Sequence, residues 1–416
     1  MRFSSLLDYE LTMKILVVTS TFPRWSGDTD PTFVYELSSR LVDRDAEVHV
    51  LAPHTKGTLR SEIVDDLNVH RFRYFFSRWE TLAYGTGILD KLRGNPLNYF
   101  LIPFFLVGMT IAVYRLVQRE QFSVIHAHWL IPQGFACAVA LLCTRDAPPL
   151  VCTSHGGDLF GLRGKLPTEI KKWVLKRARR VTVVSNYMRE FLREHVATNC
   201  DPDVQPMGVD LQARFKPNAD VVRNSNELVF VGRLVEKKGV TYLLKAFSKV
   251  CEIAPHVRLR IVGDGPLRPQ LTQEAEMLGI SDKVEFCGSV TQAQLPAVYG
   301  RASIALIPSV IARSGDQEGL GLVTVEALGC NCVVIASDLP AIRDVITAEE
   351  NGILVKPTSS TALADTIIRL LKDDASCEKF REVARASVVD KFDWPNVAER
   401  YRRLLHQATG PVHKPS

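Results

Sequence analysis

Short apolar runs bounded by turn residues recur along this chain with helical patterns between them, and that alternation limits the possible folds more than any other feature. Residues 14–20, 47–52, 123–129, 149–154 and 181–185 form one series, and 228–231, 258–265, 284–288, 302–308 and 332–336 form a second. Runs of this length with little polar alternation read as strands covered on both faces. Between the first two, Phe33, Leu37 and Leu41 recur at helical spacing. Strand, helix and strand then make a parallel crossover unit. Parallel sheets of this kind bind ligands beyond the carboxyl ends of their strands, so each strand-end loop is a candidate site.

At 416 residues the chain is long for one core and suits two domains of ~100–200 residues. Residues 197–226 are rich in Asp, Asn and Pro and lack periodicity, which marks an inter-domain connection. A first domain over 13–196 and a second over 227–390 follow. Apolar content of 46% and charged content of 23% exclude a disordered chain. A net charge of +5 is too small to argue for nucleic acid but suits anionic substrates or a membrane surface. The nine cysteines are scattered, and Cys137, Cys143, Cys152, Cys287 and Cys332 lie in apolar runs. They are expected as free thiols in a reducing, cytoplasmic setting. Residues 1–12 carry Asp8 and Glu10, so no secretory leader is expected. Residues 98–114 lack any charge and include Pro103; they read either as a helix against the sheet or as a segment at a membrane interface.

The densest chemistry lies in 302–337. Glu318 precedes Gly319-Leu320-Gly321, and Glu326 follows eight residues after Glu318. A helix beginning near Gly319 would turn unpaired N–H groups toward a phosphate, and the glycines would admit it. One carboxylate would stand at the mouth and the other about two turns along. A second cluster, Gly232-Arg233-Leu234-Val235-Glu236-Lys237-Lys238-Gly239, joins a strand to the next helix. An arginine and a lysine five residues apart at a helix start form a cationic clamp for a diphosphate. A third strand ends in His155-Gly156-Gly157-Asp158, placing an imidazole and a carboxylate at the ligand edge, although Asp158 can also serve as a cap. Gly263-Asp264-Gly265 ends a fourth, a weak nucleotide signal alone.

Other features are less specific. The loop after the first strand carries Arg24 and Gly27. Asp28-Thr29-Asp30 and Asp201-Pro202-Asp203 pair carboxylates as divalent-ion sites do, but both read as turns, and no metal is expected. His126 and His128 alternate onto one side of a strand without a third ligand nearby, which reads as structural. Arg71, Arg73, Tyr74, Phe75, Phe76, Arg78 and Trp79 interleave charge with rings, and residues 163–180 combine an apolar stripe with basic residues. Both patterns suit a solvated surface or anionic lipid.

Glu318 and Glu326, with Gly319 and Ala327 in place, resemble the signature of family-4 retaining glycosyltransferases of the GT-B fold, and the likeness runs from about residue 14 to residue 401. The insert Ser314-Gly315-Asp316-Gln317 resembles the exopolysaccharide branch. The resemblance implies an α/β GT-B architecture, two Rossmann-like doubly wound domains facing a central cleft, with 391–410 a helix crossing back to the first. It implies a retaining, metal-independent hexosyltransferase with no cofactor, which moves a sugar from a nucleoside-diphosphate sugar to a sugar or polyprenyl-linked glycan acceptor. Polysaccharide or glycoconjugate synthesis at the inner face of the cell membrane would be the setting. His155 and Glu318 would lie beside the donor sugar, Arg233 and Lys238 would neutralise the leaving group, and Glu326 would hold the ribose hydroxyls. Gly319, Leu320, Gly321 and Gly263 would contact the donor, with Gly27, Arg24 and Asp158 on the acceptor side. One departure is Gly329-Cys330-Asn331-Cys332-Val333-Val334 in place of Ala-Cys-Gly-x-Pro-Val-Val, where Asn331 can supply the left-handed turn. A GT-B epimerase or hydrolase, and a non-catalytic nucleotide-sugar-binding subunit, are the alternatives.

Overall fold

A computed structural model describes residues 12–25, 27–28, 32–85, 87–197 and 199–410. The first series builds a sheet from β1 (Met13–Val18), β2 (Ala46–Pro53), β3 (Ser61–Val64), β4 (Leu67–Phe72), β5 (Val124–His128), β6 (Leu150–Ser154), β7 (Arg180–Val183) and β8 (Asp203–Val204). Its order is β3-β4-β2-β1-β5-β6-β7-β8, parallel except for the β3–β4 hairpin. The second sheet is parallel throughout: β9 (Asn224–Val231), β10 (Arg258–Val262), β11 (Val284–Gly288), β12 (Ala302–Ile307), β13 (Val333–Ser337) and β14 (Ile353–Val355), ordered β11-β10-β9-β12-β13-β14. Every residue of β5, β6, β12 and β13 is buried. Helices cover both faces of these strands, which is why the sequence shows apolar runs there rather than alternation.

Strand order reverses between β1 and β5, and again between β9 and β12. At such a point successive crossover helices leave to opposite faces, and a crevice opens beyond the strand ends. The loops after β9 and β12 carry Arg233 and Glu318. The connection between domains is shorter than its composition implies. Val183 of β7 pairs with Val204, and β9 opens at Asn224, so only 205–223 lie between the sheets. A two-residue edge strand leaves no periodic trace.

The chain crosses between domains twice, side by side. Val209 N–H donates to the Phe392 carbonyl at 2.8 Å, and Trp394 N–H donates to Val209 at 3.2 Å. A Cβ at Gly208 would lie 2.5 Å from the Trp394 ring, so only glycine fits. The last helix, Trp394–Thr409, then packs on β5, β6 and the helix Phe33–Leu41, and Tyr401 Oη donates to Gln205 O at 2.9 Å. All nine cysteines are unpaired thiols; Cys287 is only half-buried.

Candidate active site

The helix after β12 is Leu322–Gly329, capped by Gly321 in the left-handed region at φ +84°. It begins later than the expected start near Gly319, because a left-handed residue cannot continue an α-helix. Glu326 therefore stands one turn inside the helix rather than about two turns from the mouth. The side chain of Leu320 is buried, so this residue can offer a ligand only its backbone. Glu318 remains in the loop before the helix, 8% exposed.

Lys238 Nζ lies 2.9 Å from Glu318 Oε1. The approach is a charge pair rather than an aligned hydrogen bond, and Oε1 has no other partner among the described residues. Burial raises the Glu318 carboxyl, but Lys238 and Lys237 outweigh it and hold the group below the usual glutamate value. Lys237 Nζ is itself 3.3 Å from Asp316 Oδ1. Arg233, also in the loop after β9, turns to the first domain and pairs with Asp90 on the helix Ile88–Gly94. Both cations of the clamp are thus answered by carboxylates, one from each side of the crevice. Gly263 packs behind this loop: a Cβ there would lie 2.0 Å from the Gly232 carbonyl oxygen.

His155 follows β6, the third strand from the reversal in its sheet counting from β1. Its ring packs on Phe33 and Trp129, with both centroid distances 4.9 Å. His155 Nε2 meets His128 Nδ1 at 2.9 Å, which leaves Nδ1 of His155 for a ligand. Burial, with His126 nearby, pushes the His155 imidazole down to about 3, and burial lowers His126 and His128 as well. The cluster is neutral at physiological pH. His126 Nε2 meets Thr153 Oγ1 at 2.7 Å, which fits the structural reading of that residue, while His128 also orients His155.

The two loops touch. A Cβ at Gly319 would lie 2.7 Å from the His155 carbonyl oxygen, and one at Gly156 would lie 3.1 Å from Gly319 Cα. Around this contact Gln317 Nε2 donates to Tyr187 Oη at 3.1 Å, Arg163 to the Gly315 carbonyl at 2.9 Å, and Asn186 Nδ2 to Asp344 Oδ1 at 2.9 Å. Deeper in, Tyr299 Oη donates to Glu326 Oε2 at 3.1 Å. Burial pushes the Glu326 carboxyl up to about 7 against that bond.

The expected acceptor-side groups fare differently. Asp158 is buried; its oxygens accept from Leu130 N–H and Ser154 Oγ, each at 2.7 Å, and Lys171 below it donates to the Leu159 and Leu162 carbonyls. Asp158 thus braces its own segment. Arg24 is paired within its own loop, where Asp28 holds its guanidinium through both oxygens at 2.8 and 2.6 Å. Gly27, at φ +79°, has nothing within 4 Å of an added Cβ. Of Asp28-Thr29-Asp30, the last two lie outside the described residues. Asp201 and Asp203 stand opposite Arg193 and Arg180 at 3.7 and 3.5 Å.

Comparison with known proteins decides the family. Residues 31–213 match the model for Glycosyltransferase Family 4, and 212–387 match that for glycosyl transferases group 1. The phosphatidyl-myo-inositol mannosyltransferase of Mycobacterium leprae is 30% identical over 374 residues, 89% of this chain and 91% of that protein. The chain belongs to the family-4 glycosyltransferases. The N-acetyl-alpha-D-glucosaminyl L-malate synthase of Bacillus anthracis is 25% identical over 321 residues, 75% of this chain and 82% of that one. Sucrose-phosphate synthase from Thermosynechococcus elongatus superposes with a TM-score of 0.78 at 21% identity, covering 95% of this chain and 98% of that one. Anabaena HepE in complex with UDP and glucose gives 0.69 at 18%, covering 95% and 99%. The glycosyltransferase therefore has the GT-B fold, and the epimerase, hydrolase and non-catalytic readings are not favoured.

Several residues that contact the candidate site residues escaped sequence reasoning. Asp90 sits among Leu89, Lys91 and Arg93 with nothing to mark it. Tyr299 reads as ordinary core. Lys237 was visible beside Lys238 as a second cation, and His128 was visible by its spacing from His126.

Proposed function

We propose that this glycosyltransferase moves a hexose, with retention at the anomeric carbon and without a metal, from a nucleoside-diphosphate sugar to a sugar or polyprenyl-linked acceptor at the cytoplasmic face of a membrane. One observation carries the reading: Lys238 pairs with Glu318 in the loop that leads into Leu322–Gly329, and the next residue of that loop, Gly319, touches the backbone of His155 and Gly156. A diphosphate seated there would meet the helix N–H groups and two cations already in place. Fixed charge aimed at a departing diphosphate is stronger in the transition state than in the ground state. Lys238 exchanges its carboxylate for phosphate, and Glu318, released, is free for sugar hydroxyls. Neutral His155 offers Nδ1 to the same sugar. The leaving phosphate, on the face from which the acceptor enters, takes the acceptor hydroxyl proton. Lys237, Lys238 and Arg233 supply the positive charge that a divalent ion supplies elsewhere. The mannosyltransferase relative, named for phosphatidyl-myo-inositol, favours a lipid-borne acceptor.

The test is product analysis with UDP- and GDP-hexoses, with and without lipid-linked acceptors, in the presence of EDTA. An α-linked product from an α-donor, formed only with acceptor and undiminished by the chelator, is expected. A β-linked product or chelator-sensitive turnover would contradict the proposal.

Glu326 gives a second readout, independent of turnover. Its carboxyl stands at about 7 in the fold against a reference of 4.5. The neutral form is thus the one the fold tolerates, so the group is harmless below about pH 4.5 and costs stability increasingly as pH rises to 7. The melting temperature of Glu326→Gln relative to the parent protein should climb over that interval and level off above it. A constant offset from pH 4.5 to 8 would show that burial does not act on this carboxyl.

A further inference from the structure

Among the described residues, one helix is long and apolar enough to cross a membrane, Pro96–Arg119, with a mean hydropathy of 2.0 and only 33% of its apolar window buried. It does not lie in a core. Its inner stripe, Leu101, Phe105, Met109 and Val113, is buried, and the helix packs chiefly on the helix Phe135–Leu142 and also on β2 and β4. Its outer stripe, Phe100, Phe104, Val107, Ile111 and Tyr114, recurs at the same helical spacing and is 39–63% exposed. A helix packed on a sheet ordinarily turns a polar face to water; this one turns a second apolar face outward. Phe76 and Trp79, also exposed, extend the patch, since Phe75 stacks on Trp79 and meets Phe100 and Phe104. Contiguous exposed apolar surface of this kind marks an interaction site.

The rim of the patch is cationic, and that selects the occupant. Arg60 and Arg115 line a groove of about 420 Å³ beside Gly108, Ile111 and Ala112. Arg78 lies over the Trp79 ring at 4.8 Å. None of these three arginines makes an ion pair among the described residues. A second copy of this chain, meeting the patch with the same patch, would bring like charges together. An anionic bilayer supplies an apolar layer and, at its edge, phosphates. Trp and Tyr rings at the margin of the patch match the headgroup level, where amphipathic rings settle. Right-handed crossovers put the helices that follow on the same face of the sheet, and the basic helix Lys165–Leu175 lies two places along, widening the positive field.

We propose that this face docks on an anionic bilayer, with the outer stripe of Pro96–Arg119, Phe76 and Trp79 lying in the interface and Arg60 and Arg115 receiving lipid phosphates. The proposal deepens the reading of a membrane-borne acceptor, but it is tested without substrate. In flotation assays the protein should rise with vesicles of phosphatidylcholine and phosphatidylglycerol, and much less with phosphatidylcholine alone. Phe100→Ser/Phe104→Ser/Ile111→Ser should lower partition by more than about tenfold, the scale set by removing buried apolar area. Arg60→Gln/Arg115→Gln should keep the weak binding to neutral vesicles and lose the preference for phosphatidylglycerol and its sensitivity to salt. Both variants should retain the parent melting temperature and affinity for a nucleoside diphosphate. Brominated lipid should quench the parent fluorescence more than that of Trp79→Phe. The proposal fails if the parent does not float with anionic vesicles or if the triple serine variant floats equally well. It also fails if light scattering finds a dimer that the triple variant dissolves while neither protein floats. Vesicle binding by a protein with no transferase activity would leave the docking face standing and remove the catalytic reading.

Discussion

Lys238→Ala should lower kcat by about two to three orders of magnitude, the range seen when one preorganised oxyanion partner is removed. Its ammonium is fixed by the chain: Gly239 takes the left-handed φ +67° that ends the short turn Glu236–Lys238 and lets the helix Val240–Ile253 start at once. The side chain is therefore held beside Glu318 before any ligand arrives, with 14% exposure. Charge grows on the diphosphate only as the glycosidic bond breaks, so the loss should fall on kcat more than on KM. Arg233→Ala should cost less, because its side chain is 36% exposed against 14% for Lys238, so solvent screens its charge more. Removing Lys238 also strands a buried carboxylate, which destabilises the fold for an unrelated reason. Lys238→Ala/Glu318→Gln isolates the stability cost, for it should recover the melting temperature, while the kinetic effect is read from Lys238→Ala at a temperature where that variant is fully folded. Near-normal kcat in the single variant would take the lysine out of the mechanism.

What could be read beforehand was whatever a local pattern encodes. The runs 302–308 and 332–336 became β12 and β13 within a residue or two because full burial forbids polar alternation. Asn331, in place of the usual glycine, does take a left-handed conformation, at φ +52°, and its short polar side chain tolerates that region. Contacts between segments distant in sequence left no trace: Asp90 and Arg233 are 143 residues apart, and nothing near either names the other. The roles of Arg24 and Asp158 are hard to read for a related reason. Charged residues in strand-end loops serve ligands or brace the loop, and only the neighbours, Asp28 for one and Leu130 with Ser154 for the other, decide which. The start of Leu322–Gly329 was misplaced because Gly319 and Gly321 both admit a turn, and packing of Gly321 against Ile342 settles which one makes it.

Gly263→Ala should be strongly destabilising for so small a substitution, and its effect should reach the nucleotide. Gly263 holds φ +129°, a region essentially confined to glycine that costs a side-chain-bearing residue roughly 1–3 kcal/mol. The added methyl would also lie 2.0 Å from the Gly232 carbonyl oxygen, a backbone atom that cannot swing aside as a side-chain tip does. Gly232 N–H donates to the Val262 carbonyl at 2.9 Å and Gly263 N–H to Gly288 at 2.8 Å, so the ends of β9, β10 and β11 are tied at this spot. Relief requires moving the segment that presents Arg233 and Lys238. A loss of about 3 kcal/mol, or about 10 °C in melting temperature, should accompany a clear fall in nucleoside-diphosphate affinity. Gly279→Ala is an unobstructed control at a different positive φ, +67°, with nothing within 4 Å of the new Cβ. It should show the conformational cost alone, about 1 kcal/mol, with affinity unchanged. If the two variants melt together and bind alike, the close packing behind the Arg233 loop does not position the clamp, and Gly263 acts through its dihedral angle only.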